Sequence, residues 1–214
     1  MAKRSKENTS NDKTQSFYDR IADVHNIALK INGYRASVAK YLRSLDLGLT
    51  ENSAVLDAGS GTGIVSLGFI DSGLPAKQFV AFDLSHKSLK IAAKEFRKFG
   101  AERFSTVQGN VLTMPFADDH FDLVITCGVL EYVSLDAGLA EMARVIKPGG
   151  KLVMIPVKPS LVGSMLEILY KFKIHPVEDV RKISQRYFNI VGNHKFPLKE
   201  PISWSKSIFL LEKK

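Results

Sequence analysis

The chain reads as an α/β protein: a Rossmann-like, seven-stranded, mostly parallel sheet flanked by helices, with an N-terminal helical lid in front of it. Three observations carry this expectation. From Ala54 onward short apolar runs alternate with helical patterns, and runs such as Leu123-Val124-Ile125 are apolar at every position. Strands of that kind are buried on both faces, and strand–helix alternation builds parallel sheets through right-handed crossovers. The first apolar run also leads into a turn of alternating glycines, Gly59, Gly61 and Gly63, where ligands bind on open α/β sheets.

Taken in order, strands are expected at 54–58, 79–82, 104–108, 121–127 and 151–156, with helices at 63–71, 85–99 and 135–146 between them. Gly100 ends the second of these helices, and Lys147-Pro148-Gly149-Gly150 stops the third. Beyond Pro159, helical patterns at 161–172 and 176–187 lead to two last strand candidates, 188–195 and 205–211. Ahead of the sheet, 1–14 is polar and charged and reads as a disordered basic arm. Residues 15–49 read as the lid. Phe17, Ile21, Val24 and Ala28 repeat at helical spacing, as do Val38, Tyr41, Leu42 and Leu45, and Gly33 between them offers a hinge. Residues 50–214 form the main domain.

Bulk properties set limits. With 214 residues, 45% of them hydrophobic, the chain can bury one continuous core. No apolar run approaches the ~18 residues that span a bilayer, and Met1 to Asn11 lacks a signal-peptide pattern. A single cysteine, Cys127, fits a reducing, cytoplasmic setting. The net charge of +8 is uneven: residues 1–49 carry 9 basic and 5 acidic side chains, 50–150 carry 9 and 12, and 151–214 carry 12 and 5. Basic flanks around an acidic centre suit nucleic acid, anionic lipid or an acidic substrate, or no partner at all.

The glycine turn carries the chemistry. Val55-Leu56-Asp57-Ala58-Gly59-Ser60-Gly61-Thr62-Gly63 is a buried strand, a tight turn and a helix start. Its spacing is G-x-G-x-G, with Ile64 where the dinucleotide fingerprint requires glycine. Asp83 closes the second strand, where a carboxylate can accept from both ribose hydroxyls of a nucleoside; the alternative is that it caps the helix starting near Ser85.

These residues resemble motif I of the class I S-adenosylmethionine-dependent methyltransferases, and four further blocks agree in order. Phe82-Asp83-Leu84-Ser85 resembles the acidic end of strand two, and Gln108-Gly109-Asn110-Val111 the adenine loop. Phe121-Asp122-Leu123-Val124-Ile125-Thr126-Cys127 resembles strand four, and Val145-Ile146-Lys147-Pro148-Gly149-Gly150-Lys151-Leu152 the turn into strand five. The resemblance implies S-adenosylmethionine as cofactor and a sheet whose seventh strand is antiparallel. By this resemblance Gly59, Ser60 and Gly61 face the methionine part through backbone, and Asp57 reaches its amino group. Asp83 holds the ribose, Leu84 packs on adenine, Asn110 and Val111 bracket the adenine edge, and Cys127 and Gly128 line the site near the sulfonium. Tyr18 resembles a tyrosine that lids of quinone-type members lay on the cofactor.

Methyl transfer is a displacement at an activated carbon, so the protein aligns the nucleophile and excludes water; a base is needed only when the acceptor loses a proton. Glu131, after strand four, is a candidate base or anchor, the alternative being a solvated helix-start residue, and His25 is a candidate on the lid. His120 and Asp122 precede strand four, on the edge away from the ligand crevice, and read as structural. No metal is implied. Thr126-Cys127-Gly128-Val129 stands where nucleic-acid amino methyltransferases carry an Asn/Asp-Pro-Pro-Tyr/Phe block, and no appended RNA-binding module is seen. A small-molecule or lipid acceptor is therefore favoured. The apolar segment 161–172, flanked by Lys158, Lys171 and Lys173, suits either an acceptor pocket or peripheral contact with an anionic membrane. RNA or protein methylation, and cofactor binding without catalysis, are the alternatives.

Overall fold

The structure is a computed structural model and describes residues 33–214. Tyr18, His25, the basic arm and the first helical pattern lie outside the described residues. Helix α1 (Tyr34–Ser44) precedes strand β1 (Ala54–Ala58), α2 (Ile64–Ser72), β2 (Gln78–Asp83), α3 (His86–Lys98), β3 (Phe104–Gln108) and β4 (Phe121–Cys127). Then follow a 3-10 turn (Leu130–Tyr132), α4 (Leu135–Val145), β5 (Ile146–Ile155), α5 (Leu161–Tyr170) and α6 (Val177–Ser184). Strand β6 (Phe188–His194), a second 3-10 turn (Pro201–Trp204) and β7 (Ile208–Lys213) close the chain.

The seven strands form one sheet in the order β3-β2-β1-β4-β5-β7-β6. Strands β1 to β5 pair in parallel, and β7 runs antiparallel to both β5 and β6. The order reverses between β1 and β4, which opens a crevice above their carboxyl ends. Alternate residues of each central strand enter opposite cores. Leu56, Val80, Val124 and Leu152 pack with Leu139 and Met142 of α4 and Val180 of α6. Val55, Phe79, Leu123 and Val153 pack on the other face with Val38 and Leu42 of α1 and Val65 and Phe69 of α2. Covering both faces is why these strands carry consecutive apolar residues such as Leu123-Val124-Ile125.

Helix boundaries follow local chemistry. Ser85 caps α3 by accepting from Ser88 N at 3.1 Å, and Gly100 just beyond its end takes a left-handed φ of 61°. Strand β5 starts five residues earlier than the sequence reading placed it. Ile146 already pairs with Phe121, and the register shifts between Phe121 and Leu123 as the Pro148-Gly149-Gly150 turn residues pass. The last strand starts later than expected because Pro201–Trp204 coils into a 3-10 turn, leaving Val157 and Lys206 as an isolated antiparallel bridge.

Helix α1 is docked on α2: Tyr34, Val38 and Leu42 are buried, and Gly68 of α2 supplies the space. A methyl group at Gly68 would sit 2.8 Å from Val38 Cγ1 and 3.2 Å from Arg35 O. Replacing Gly68 with Ala should therefore cost about 1–2 kcal/mol, since overpacking outweighs the gain in helix propensity. Chemical denaturation measures this, and adding Val38→Ala should recover part of the loss.

Candidate active site

The site is assembled where β1, β2 and β4 end. Gly59 N and Ser60 N both donate to Phe82 O, at 2.8 and 3.0 Å, and Gly61 N donates to Asp83 Oδ2 at 2.8 Å. The amides of these three glycine-turn residues are thus tied to the end of β2. What they offer a ligand is bare Cα surface, since a Cβ at Gly61 would meet nothing within 4 Å. Gly59, with φ of 81°, is closed on its other side: a Cβ there would lie 2.5 Å from Val129 Cβ.

Asp83 is half-exposed. Its Oδ1 accepts from Ser85 N at 2.8 Å while Oδ2 holds Gly61. The carboxylate is fixed by two backbone donors, one on each oxygen, so the helix-start role is observed and does not by itself exclude a nucleoside role. Asp57, at the end of β1, is wholly buried. Ser66 Oγ donates to its Oδ2 at 2.6 Å, and among the described residues Oδ1 has no partner. Burial pushes the carboxyl up to about 7, opposed by the Ser66 hydrogen bond and aided by the nearby Asp83.

At the end of β4, Cys127 Sγ and Tyr34 Oη lie 2.9 Å apart. Burial raises the pKa of both groups, so the thiol is a packing and hydrogen-bonding group and not a thiolate nucleophile. Glu131 is buried, which sets aside a solvated helix-start role. Its Oε1 accepts from Val157 N at 2.6 Å, while among the described residues Oε2 has no partner. Ser60 Oγ is likewise buried and unpartnered.

On the adenine side, Asn110 Oδ1 accepts from Leu112 N at 2.9 Å, which turns its oxygen into its own loop. Val111 is buried in the core, and Leu84 is half-buried beside Asp83. His120 and Asp122 are structural, as the sequence suggested: His120 Nε2 meets Gln78 Nε2 at 2.9 Å, and Asp122 accepts from Ala54 N and Lys147 Nζ, each at 2.8 Å. Asp57, Ser60, Gly61, Asp83, Cys127, Gly128 and Glu131 thus stand at or just beyond the carboxyl ends of β1, β2 and β4. Sequence reasoning missed Tyr34 and Lys206, whose Nζ would lie 3.1 Å from a Cβ at Gly128. Neither sits in a motif; both arrive through the tertiary fold.

An open α/β sheet with a glycine turn, an acidic end to β2 and buried free acceptors at the switch point defines a nucleoside-cofactor domain. Residues 56–154 match the family model described as a methyltransferase domain, in line with the resemblance to the class I S-adenosylmethionine-dependent methyltransferases. It is 33% identical over 126 residues to the ubiquinone/menaquinone biosynthesis C-methyltransferase UbiE of Shewanella piezotolerans, covering 57% of this chain and 50% of that protein. The chain thus matches about half the length of such curated relatives. Among solved structures, a S-adenosylmethionine-dependent methyltransferase of Thermotoga maritima, described as a possible histamine N-methyltransferase, superposes with a TM-score of 0.75. That match has 17% identity and covers 94% of this chain and 100% of that one. Geranyl diphosphate C-methyltransferase of Streptomyces coelicolor, bound to S-adenosyl-L-homocysteine, gives 0.69 at 16% identity, covering 82% and 75%. The two structures share the fold.

Two glycine replacements separate folding from binding. Gly59→Ala should destabilise by about 2–4 kcal/mol, combining a left-handed backbone with a clash against Val129. Gly61→Ala should cost only about 1 kcal/mol, from its φ of 53° alone. It should nevertheless weaken binding of S-adenosylhomocysteine at least ~10-fold, since the methyl group enters ligand space. Thermal melts and calorimetry on the same samples check both.

Proposed function

We propose that this chain binds S-adenosylmethionine across the carboxyl ends of β1, β2 and β3 and methylates a small-molecule or lipid-like acceptor of the quinone class. One observation carries the reading: Asp57 Oδ1, Ser60 Oγ and Glu131 Oε2 are buried acceptor atoms without partners, gathered at the switch point beside the fixed Asp83 carboxylate. Unpaired buried polar groups are costly, so a ligand carrying donors is what stabilises them. An ammonium fits Asp57 and ribose hydroxyls fit Asp83. The quinone class is supported by the named activity of the UbiE relatives.

S-adenosylmethionine supplies a methyl group on positively charged sulfur, already activated toward a nucleophile. The chain's own residues bind, orient and exclude water. Asp57 takes the amino group, Asp83 the ribose, and Leu84, Asn110 and Val111 the adenine. Tyr34 and Cys127 wall the sulfonium side, and Glu131 Oε2 accepts the proton that a hydroxyaromatic acceptor gives up.

Asp57 gives the reading a pH signature. Held near 7, its carboxyl keeps a proton in the folded chain over a range where the unfolded chain, titrating near ~4, has lost it. Its contribution to stability is therefore present at low pH and lost as pH rises through about 7. Pairing with the ligand's ammonium requires the ionised form, so binding releases a proton below neutrality. Affinity for S-adenosylhomocysteine should rise from pH 6 to pH 8, by up to ~10-fold per unit below neutrality. Calorimetry in buffers of different ionisation enthalpy reads the released proton. Asp57→Asn should abolish the pH dependence, and Asp83→Ala should lower affinity by ~1.5–3 kcal/mol at every pH. Failure of wild-type protein to bind S-adenosylhomocysteine overturns the reading.

Acceptors of this class partition into membranes, and one surface fits that source. Leu161, Met165, Ile168 and Leu169 of α5 are 94, 61, 81 and 59% exposed, with Trp204 beside the helix start and Lys158, Lys171 and Lys173 at its margins. Ser160 Oγ, capping α5, donates to Trp204 O at 2.8 Å, which joins the two parts of the patch. Among the described residues, no helix is long and apolar enough to cross a membrane. We therefore include docking of this patch on an anionic bilayer surface. Co-sedimentation with vesicles containing phosphatidylglycerol should exceed that with phosphatidylcholine alone, and Ile168→Glu should reduce it at least ~10-fold; equal pelleting of both proteins sinks the docking idea.

A further inference from the structure

The acceptor side of the crevice holds a cation that the reading above leaves idle. Lys206 stands just ahead of β7, its backbone pinned by the bridge to Val157 and by donation from its N to Ile202 O at 3.0 Å. Its side chain is half-buried and reaches back over the end of β4, to within 3.1 Å of where a Cβ on Gly128 would stand. Gly128, with φ of 74°, leaves that approach open, where a side chain would be strained by the backbone and would press on the ammonium. Among the described residues the ammonium is in no ion pair or hydrogen bond, although Asp57 and Glu131 both act on the same neighbour, Cys127. An ammonium aimed into a crevice and left unpaired there is a binding site for an oxyanion.

Topology says whose oxyanion. The groups fitted to the cofactor, Asp57 and Asp83, end β1 and β2, on one side of the switch point. Lys206, Val157 and Glu131 stand over β4, β5 and β7, on the other. Val157 joins the two charged groups: its N–H holds Glu131 Oε1, and its backbone is bridged to Lys206. A cation and a carboxylate with one free oxygen therefore share a single strand end.

We propose that Lys206 anchors the acceptor through a deprotonated ring oxygen, so that the substrate class is a hydroxylated quinone or quinol that binds as its anion. This deepens the proposed function and rests on it. The charge balance closes with residues already named. The electron pair of the oxyanion, delivered through the adjacent ring carbon, forms the new carbon–carbon bond as the methyl–sulfur bond breaks and its electrons neutralise the sulfur. The oxygen is then a carbonyl, held by Lys206. Loss of the ring-carbon proton to Glu131 Oε2 restores the aromatic oxyanion. One proton is released overall, and no oxidant or reductant is required.

Two probes of equal ring size test this: 2-hydroxy-1,4-naphthoquinone, an anion at neutral pH, and the uncharged 2-methyl-1,4-naphthoquinone. Each is titrated into the full chain saturated with S-adenosylhomocysteine. Wild-type protein should bind the anion at least ~10-fold more tightly than the neutral ring, Lys206→Met should bring the two within ~2-fold, and Lys206→Arg should keep the preference. Affinity for S-adenosylhomocysteine should be the same in all three proteins, which also reports that the variants are folded. No preference in the wild type, or a preference that survives Lys206→Met, overturns the proposal and leaves the cofactor reading standing. An at least ~10-fold loss of S-adenosylhomocysteine affinity in Lys206→Met, with Lys206→Arg retaining it, also overturns it, because the ammonium then serves the cofactor's carboxylate. Absence of S-adenosylhomocysteine binding by the wild type fells the proposed function itself, and the anchor with it.

Discussion

The site depends on one buried carboxylate whose hydrogen bonding is half complete. Asp57 lies under the glycine turn with no exposed surface, holding Ser66 through Oδ2 and nothing through Oδ1. Such a group is costly as an anion, which is why its pKa stands near 7. The fold tolerates it because the turn above is stabilised elsewhere, by the amides of Gly59, Ser60 and Gly61 bonded to the end of β2. The turn is therefore rigid without the carboxylate, and Asp57 Oδ1 is kept for what binds. A site whose acceptors were already satisfied by its own loop would gain little from an incoming ammonium.

The same principle extends to Asp83 and Glu131. Each is fixed by a backbone N–H, and among the described residues Glu131 Oε2 is left without a partner. Orientation is supplied by the scaffold, so a ligand meets charges that need no rearrangement, the arrangement that favours tight binding and fast chemistry. Tyr34 adds a constraint from a distance of 93 residues, linking the start of α1 to Cys127 at the end of β4. Helix α1 is packed scaffold at Val38 and Leu42, yet its first residue is a wall of the site.

Much of this was legible from residue order alone. Strands β1, β3 and β4 have the bounds that the sequence reading gave them; in β1 and β4 the apolar runs are buried on both faces, whereas β3 is an only partly buried edge strand. The glycine turn and Asp83 were legible because their spacing reflects a local requirement, a tight turn followed by a carboxylate one strand later. Strand β5 was misjudged at its start, since Pro148 and Gly149 are ordinary stop signals and only pairing with β4 carries the chain through them. Tyr34 and Lys206 gave no signal. A tyrosine opening an amphipathic helix and a lysine in a polar turn have nothing local that points to a ligand. Their roles exist only because β7 folds back beside β5 and α1 crosses to the end of β4.

That division has a functional meaning. The groups fitted to the cofactor, Asp57 to Gly63 and Asp83, fall within residues 56–154, which match the methyltransferase-domain family. The proposed acceptor side combines Glu131 from within that stretch with Val157, Lys206 and the exposed face of α5 from after it. The sheet order makes this separation physical, since the late strands β7 and β6 are added beyond β5, on the far side of the switch point from the glycine turn. In the proposed function the core stretch holds the methyl donor, and the later strands, in a segment rich in positive charge, help to select the acceptor. A cation next to a carboxylate, under an apolar and lysine-rimmed surface, suits an acceptor with an acidic ring oxygen and an apolar body.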